Sequence, residues 1–234
     1  MPTVRIVGPG RAGSSLAGAL GAAGWSVARP VRRGDDPSDA AANVDLCVIA
    51  TPDDVIEQVA GRITPVATTV VAHLSGSRGL DVLEPHLRRA AMHPLASLPD
   101  PVTGAATLSD GVWWAVEGDP RARDVVREIA GRIIEVSDRA AYHAAACVAA
   151  NHLVTLMAQV ERIAAAAGLP PQPFYDLASR ALANAAANGA HAALTGPASR
   201  GDAATIERHL AALDPEEQGL YLALAEAAGA LACK

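Results

Sequence analysis

The stretch TVRIVGPGRAGSSLAGALGAAGW, Thr3 to Trp25, decides the fold. It opens on an apolar run of strand length, passes through a glycine turn, continues as a helix ending at Gly24, and yields to SVARPV, where strand character resumes. That is a β-α-β unit. Gly8, Gly10 and Gly13 stand as GxGxxG between the strand and the helix, the context in which this otherwise weak pattern points to a dinucleotide. Gly8 permits the tight turn, Gly10 lets backbone approach a pyrophosphate, Gly13 lets the helix sit against the sheet, and the helix N-terminus supplies positive potential. The loop residues Gly8, Pro9, Gly10, Arg11, Ala12 and Gly13 are therefore expected to hold the ligand.

The same grammar recurs downstream. DLCVIATPDDVIEQVAGRI reads as a strand buried on both faces, a Thr-Pro stop and an acid-capped helix, and TTVVAHLSGS as a further buried strand. A short helix over GLDVLEPHL, strands near AAMH and GVWWAVEG, the helix PRARDVVREIAGR and the strand IIEV complete this half. Strands alternating with helices imply a doubly wound, mostly parallel sheet of Rossmann type. After Ser137 the strand signal stops, and helices are expected at about 139–167, 173–190, 202–212 and 215–232. The chain thus divides into an α/β dinucleotide-binding domain, 1–137, and an all-α domain, 138–234.

Composition narrows the function classes. Half of the 234 residues are hydrophobic and only 3% aromatic, so the core rests on Ala, Val, Leu and Ile. A net charge of -6 argues against a nucleic-acid partner, which needs a concentrated basic stripe. Cys47, Cys147 and Cys233 share no CxxC spacing and suggest neither disulfides nor zinc, and no His/Asp/Glu set has metal-ligand spacing. The N-terminus enters a β-pattern at once, without signal-peptide features, and no uninterrupted apolar run is long enough to span a membrane, which together imply a cytoplasmic protein.

An NAD-preferring site places an acid about 20 residues beyond the loop to hold the ribose hydroxyls. Here that zone reads ARPVRR. Arg29, Arg32 and Arg33, with Arg11 as a further contact, are suited to a 2′-phosphate, and NADP(H) is the expected cofactor; a solvated surface cluster is the other reading of these arginines. Because ligands sit beyond the carboxyl ends of strands in open α/β sheets, Thr51, Pro52, Ser75 and Gly76 are expected to line the crevice, with Ser75 reaching the nicotinamide ribose or a substrate carboxylate. Equally, Thr51, Pro52 and Ser75 serve simply to stop strands and cap helices.

The glycine loop, ATPDD (50–54), HLSG (73–76), MHPL (92–95), YHAAACVAANH (142–152) and LTGPASRGD (194–202) occur in this order. As a set they resemble the Rossmann-like bacterial family carrying the DUF2520 domain, within the 6-phosphogluconate dehydrogenase-like superfamily. The resemblance covers both halves of the chain. It implies an NADP-dependent oxidoreductase acting on a CH-OH group, with reduction of a small 2-oxo acid foremost and 2-dehydropantoate (ketopantoate) as its first substrate, in pantothenate biosynthesis. It also leaves two alternatives: an imine or F420-linked NADP reductase, and a catalytically silent NADP(H)-binding regulatory protein. Relatives such as pyrroline-5-carboxylate reductases dimerise through the helical domain, so a homodimer is implied.

Ketone reduction needs a proton donor for the developing alkoxide and a cation or hydrogen-bond donors for a substrate carboxylate. Several related dehydrogenases use a lysine, but the only lysine here is Lys234, and arginine is a poor acid. The candidates are His143 and His93, with Tyr142 orienting the imidazole or donating through its own hydroxyl, and Asn151 as a polar catalytic partner. At about 100° per residue, Arg139, His143 and Cys147 share one helix stripe, bordered by Tyr142 and Asn151; Tyr142 and Asn151 are expected at the substrate. The competing view makes His143 and Asn151 buried structural ties. His93 precedes Pro94 as in the HP segment of prephenate dehydrogenases, with a loop-packing role as its alternative. His73 reads as a satisfied core histidine. In the LTGPASRGD loop, Arg200 is expected to grip substrate and Asp202 to cap the next helix.

Overall fold

The computed structural model describes residues 1–233. Seven strands form one sheet: β1 (Thr3–Val7), β2 (Ser26–Val27), β3 (Leu46–Ile49), β4 (Val70–His73), β5 (Arg89–Pro94), β6 (Trp113–Gly118) and β7 (Arg132–Ile134). Their order is β2-β1-β3-β4-β5-β6-β7. Strands β1 to β5 run parallel, β6 is antiparallel to β5, and β7 is parallel to β6. This is the doubly wound, mostly parallel sheet expected from the sequence. The chain moves from β1 to β2 on one side and returns to place β3 on the other, so the strand order reverses beside β1 and opens a crevice at the carboxyl ends of β1 and β3.

Alternation along each strand builds two cores. Val4, Ile6, Leu46, Val48, Ala72 and Met92 face α1 (Arg11–Ala22) and α4 (Pro120–Glu128), while Val7, Cys47, Ile49 and Val71 face α2 (Ile56–Ala60) and the 3-10 turn Asp81–Leu83. Both faces of the central strands are covered, which is why these segments read as continuous apolar runs.

Three local expectations change. SVARPV is regular strand only at Ser26–Val27, because Pro30 has no amide hydrogen to donate; Val31 still exchanges hydrogen bonds with β1, donating to Ile6 and accepting from Gly8. GLDVLEPHL supplies only the 3-10 turn. The region 101–108, in which the sequence signals no element, forms α3 (Pro101–Leu108), capped by Asp100, whose carboxylate accepts from Val102 and Thr103 N–H. Small residues let α3 lie directly on α1: a methyl added at Gly18 would stand 2.9 Å from the Ala105 Cβ.

The chain separates into two compact units, Met1–Ala150 and Asn151 onward. Their boundary lies inside the helical stretch rather than at Ser137, so α5 (Arg139–Cys147) belongs with the sheet. The single helix expected over 139–167 is interrupted by a π-helical turn at Val148–His152 before α6 (Leu153–Ala166). The second unit holds α6, α7 (Gln172–Asn188), α8 (Ala190–Ala193), α9 (Ala203–Ala212) and α10 (Pro215–Ala232). Within it, Arg162 pairs with the Glu217 carboxylate, and Gln159 donates to the Glu217 carbonyl at 2.9 Å. No described helix is long and apolar enough to cross a membrane.

Candidate functional site

The glycine loop has a distinct physical requirement at each position. Gly8 has φ +85°, and a Cβ there would lie 2.9 Å from Thr51 Cγ2. A Cβ on Gly13 would meet Gly8 O at 2.7 Å, Ile6 Cγ2 at 2.8 Å and the Ala50 Cβ at 2.9 Å, so α1 is seated on the sheet through a bare backbone. Around Gly10 nothing lies within 4 Å of where a Cβ would stand. The loop therefore presents open backbone at the start of α1, which carries no acidic residue in its first turn and no side-chain cap. Its leading N–H groups form a positive helix end that no internal anion neutralises. This cradle suits a phosphate ester; Thr51, whose Oγ1 is buried and unpartnered, flanks it from the carboxyl end of β3.

Arg11, Arg29, Arg32 and Arg33 are exposed, and among the described residues none of their guanidinium groups has a hydrogen-bond or ion-pair partner. Arg29 lines a shallow hollow of about 370 Å³ with Arg5, Val31, Asp35, Asp36 and Asp39. The three carboxylates make the hollow itself a poor phosphate site. The arginines outside it remain unneutralised.

The second constellation forms where α5 meets the carboxyl ends of β4 and β5. Asp138 caps α5 by accepting from Ala141 N–H at 3.0 Å, which orients the first turn and the residues after it. Tyr142 OH lies 2.7 Å from His93 Nδ1, and the His143 ring stands edge-on to His93 with centroids 5.8 Å apart. Gly76 backs onto both imidazoles: a Cβ there would fall 2.6 Å from His143 Cδ2 and 3.0 Å from His93 Nε2. The two donors named as rivals from the sequence are thus neighbours. Cys147 Sγ is 3.9 Å from His143 Nε2, at the far end of the same stripe.

Charge around this cluster is graded. Burial, then the neighbouring His143 and Arg139, push the His93 imidazole down to about 4, so it is neutral at neutral pH. His73 is fully buried, sits against the Gly79 carbonyl through Nε2 and accepts from Ser75 N–H at Nδ1; burial lowers its pKa too. It is the satisfied core histidine expected. Burial raises the Tyr142 phenol.

Ser75 is already committed. Its hydroxyl donates to Asp53 Oδ2 at 2.6 Å and accepts from the N–H groups of Ser77 and Arg78 at 3.2 and 3.1 Å, which ties the loop after β4 to the start of the segment after β3. These contacts are ties within and between the two loops. Burial tends to raise the Asp53 carboxyl, but the Ser75 and Ser77 hydroxyls together with His143 and His73 hold it below its usual value.

Asn151 departs from the sequence geometry. It lies within the π-helical turn, where an extra residue per turn breaks the stripe that α-helical spacing extended from Arg139 through Cys147; it is exposed and falls in the second unit. Arg200 is exposed on the 3-10 turn Ala198–Arg200, and Asp202 caps α9, accepting from Thr205 N–H at 3.0 Å. Sequence reasoning assigned no role to Arg78 or Glu117, and it read the acids after the Thr-Pro stop as a helix cap; no side-chain cap forms there, and the Asp53 carboxylate accepts from the Ser75 and Ser77 hydroxyls instead. Asp53 carried a visible signal, as an acid immediately after a strand-ending Thr-Pro. Arg139, placed only on the stripe, proves to be a tie: it donates through Nε to the Arg78 carbonyl at 2.8 Å and lies 3.5 Å from Glu117. No group of three His, Cys, Asp or Glu residues could hold a metal among the described residues.

A family profile described as "Domain of unknown function (DUF2520)" matches residues 112–228. A search of curated proteins finds no match. Among solved structures, the chain is similar to a Bacteroides fragilis protein described provisionally as an NADP oxidoreductase, with TM-score 0.81, 19% identity and 98% of each chain covered. A Thermotoga maritima protein matches with TM-score 0.70 and 22% identity, again over 98% of each chain. The reductive aminase of Aspergillus terreus, solved with NADPH and ethyl-5-oxohexanoate, matches with TM-score 0.69 and 15% identity over 97% of this chain and 93% of that one. At these identities the likeness establishes the shared fold.

Proposed function

The chain belongs to the DUF2520 family, and from that membership we propose an NADP(H)-dependent oxidoreductase that reduces a small 2-oxo acid, ketopantoate first among substrates. The observation that carries this reading is the glycine loop: backbone closed at Gly8 and Gly13, open at Gly10, beside an uncapped helix start and unpaired arginines. Gly8 to Gly13 and Thr51 would hold the pyrophosphate, and Arg11, Arg29, Arg32 and Arg33 a 2′-phosphate. When bound, the reduced dinucleotide supplies the hydride that adds to the carbonyl carbon.

The protein's own task is the proton that reaches the carbonyl oxygen. His93 is held neutral and hydrogen-bonded to Tyr142, so it is not a reserve of imidazolium protons. We assign proton delivery to His143 and orientation of the substrate oxygen to Tyr142 and His93. A substrate role for Arg200 and Asn151 rests on the sequence reading alone. Two further assignments belong here: a cytoplasmic location, and a homodimer built through the helical unit, supported by the large apolar side chains that unit leaves exposed.

Imine reduction is the second reading, favoured by the likeness to the reductive aminase over nearly its whole length; an F420-linked reductase and a silent NADP(H)-binding regulator are the others carried forward. The deciding experiment compares thermal stabilisation by NADPH and NADH, then follows NADPH absorbance with ketopantoate, other 2-oxo acids and cyclic imines. Stronger stabilisation by NADPH, reduced in the Arg32→Ser, Arg33→Ser variant, is expected. Equal stabilisation by both cofactors removes the 2′-phosphate assignment, and turnover confined to imines replaces the substrate class.

A further inference from the structure

The loop that backs the two imidazoles ends in an arginine whose role the glycine loop and the histidines do not explain. Arg78 is fixed at three points: its N–H donates to Ser75 Oγ at 3.1 Å, its carbonyl accepts from Arg139 Nε at 2.8 Å, and its own Nε donates to the Asp53 carbonyl at 3.3 Å. The two terminal guanidinium nitrogens have no hydrogen-bond or ion-pair partner among the described residues, and Arg78 is exposed. Two of these contacts fix the Arg78 backbone and one holds its side chain, so part of the entropy lost in ordering an arginine is spent before any ligand arrives.

No carboxylate pairs with Arg78 among the described residues. The Asp53 carboxylate accepts from the hydroxyls of Ser75 and Ser77, and Glu117 faces Arg139. Arg139 thus has a carboxylate opposite it, whereas the terminal fork of Arg78 has none, on the loop whose Gly76 backs the His93 and His143 rings. A guanidinium with its terminal fork free matches the two oxygens of a carboxylate.

We propose that Arg78 is a specificity-determining residue of this site and that it selects substrates bearing a carboxylate. The proposal rests on the reductase reading and narrows it: a 2-oxo acid satisfies Arg78, whereas a neutral ketone or imine leaves it unpaired. A dinucleotide phosphate offers the same oxyanion chemistry, and the test separates the two sources.

The probes are oxamate, an unreactive 2-oxo acid mimic, and oxamide, its neutral isostere, titrated calorimetrically into the full chain with and without NADPH. Wild type, Arg78→Gln and Arg78→Lys are compared, and NADPH affinity is measured in each. Arg78→Gln is expected to weaken oxamate by roughly 10- to 100-fold, Arg78→Lys by less, with oxamide and NADPH affinities changed by no more than about twofold. Equal loss of oxamate and oxamide would show a loop-holding role and overturn the proposal. So would a tenfold loss of NADPH affinity, which assigns Arg78 to a phosphate, or oxamate binding that is absent in wild type or indifferent to residue 78. Arg78-dependent oxamate binding without turnover of any 2-oxo acid defeats the reductase reading alone; turnover with unchanged oxamate affinity in Arg78→Gln defeats the Arg78 assignment alone.

Discussion

His93 shows how burial and neighbours set chemistry at a single side chain. In the unfolded chain its imidazole takes a proton near pH 6.5. In the folded protein it does so only near 4, because the ring is half-buried and stands beside His143 and Arg139. The unfolded state therefore binds the proton first on acidification. The contribution of His93 to stability is intact above about pH 6.5, falls as the pH drops towards 4 and is flat below that. The gap corresponds to a few kcal/mol at most. Denaturant titrations at several pH values should show a smaller loss between pH 6.5 and 4 in His93→Gln than in wild type; identical pH slopes would contradict the assigned environment.

At the scale of elements, the β1-loop-α1 unit separates packing from ligand access. Gly13→Ala forces a methyl against Gly8 O, Ile6 and Ala50 and should destabilise by about 2 kcal/mol. Gly10→Ala meets only open space and should change stability by less than about 0.5 kcal/mol while weakening NADPH binding. Paired chemical denaturation and cofactor titration of the two variants check both halves. This unit was fully legible, since strand, turn and helix each follow from local pattern. The helix α3 was not, although Asp100-Pro101 is the same cap-and-first-turn pair that begins α4 at Asp119-Pro120 and α10 at Asp214-Pro215. Its composition of small residues, suited to packing on α1, hides the apolar periodicity that marks other helices. The π-helical turn was equally silent: α-helical spacing set Asn151 at the border of a stripe the backbone does not keep, and the approach of Tyr142 and His143 to His93 was not read from the sequence. Arg78 was hidden for another reason, and so were the partners of Asp53: only the sheet brings these residues together.

For the molecule as a whole, the two units differ in how they bury apolar surface. The sheet unit has two cores, whereas among the described residues of the second unit only Met157, Gln159, Ala164 and Glu217 are buried, and α7 has no buried residue. Leu177 is 63% exposed, Leu182 59% and Val154 70%. So much uncovered aliphatic surface suits a second copy of the chain. Light scattering after gel filtration should give twice the 23.8 kDa chain mass, and Leu177→Asp with Leu182→Asp should return it to the monomer value; a wild-type monomer at micromolar concentration would refute the dimer. The sheet, by contrast, is guarded against sideways association. Its outermost strands are β2, with two residues, and β7, with three. Each offers too short a row of free amide and carbonyl groups to template another chain, so strand-to-strand aggregation is suppressed by the brevity of its borders.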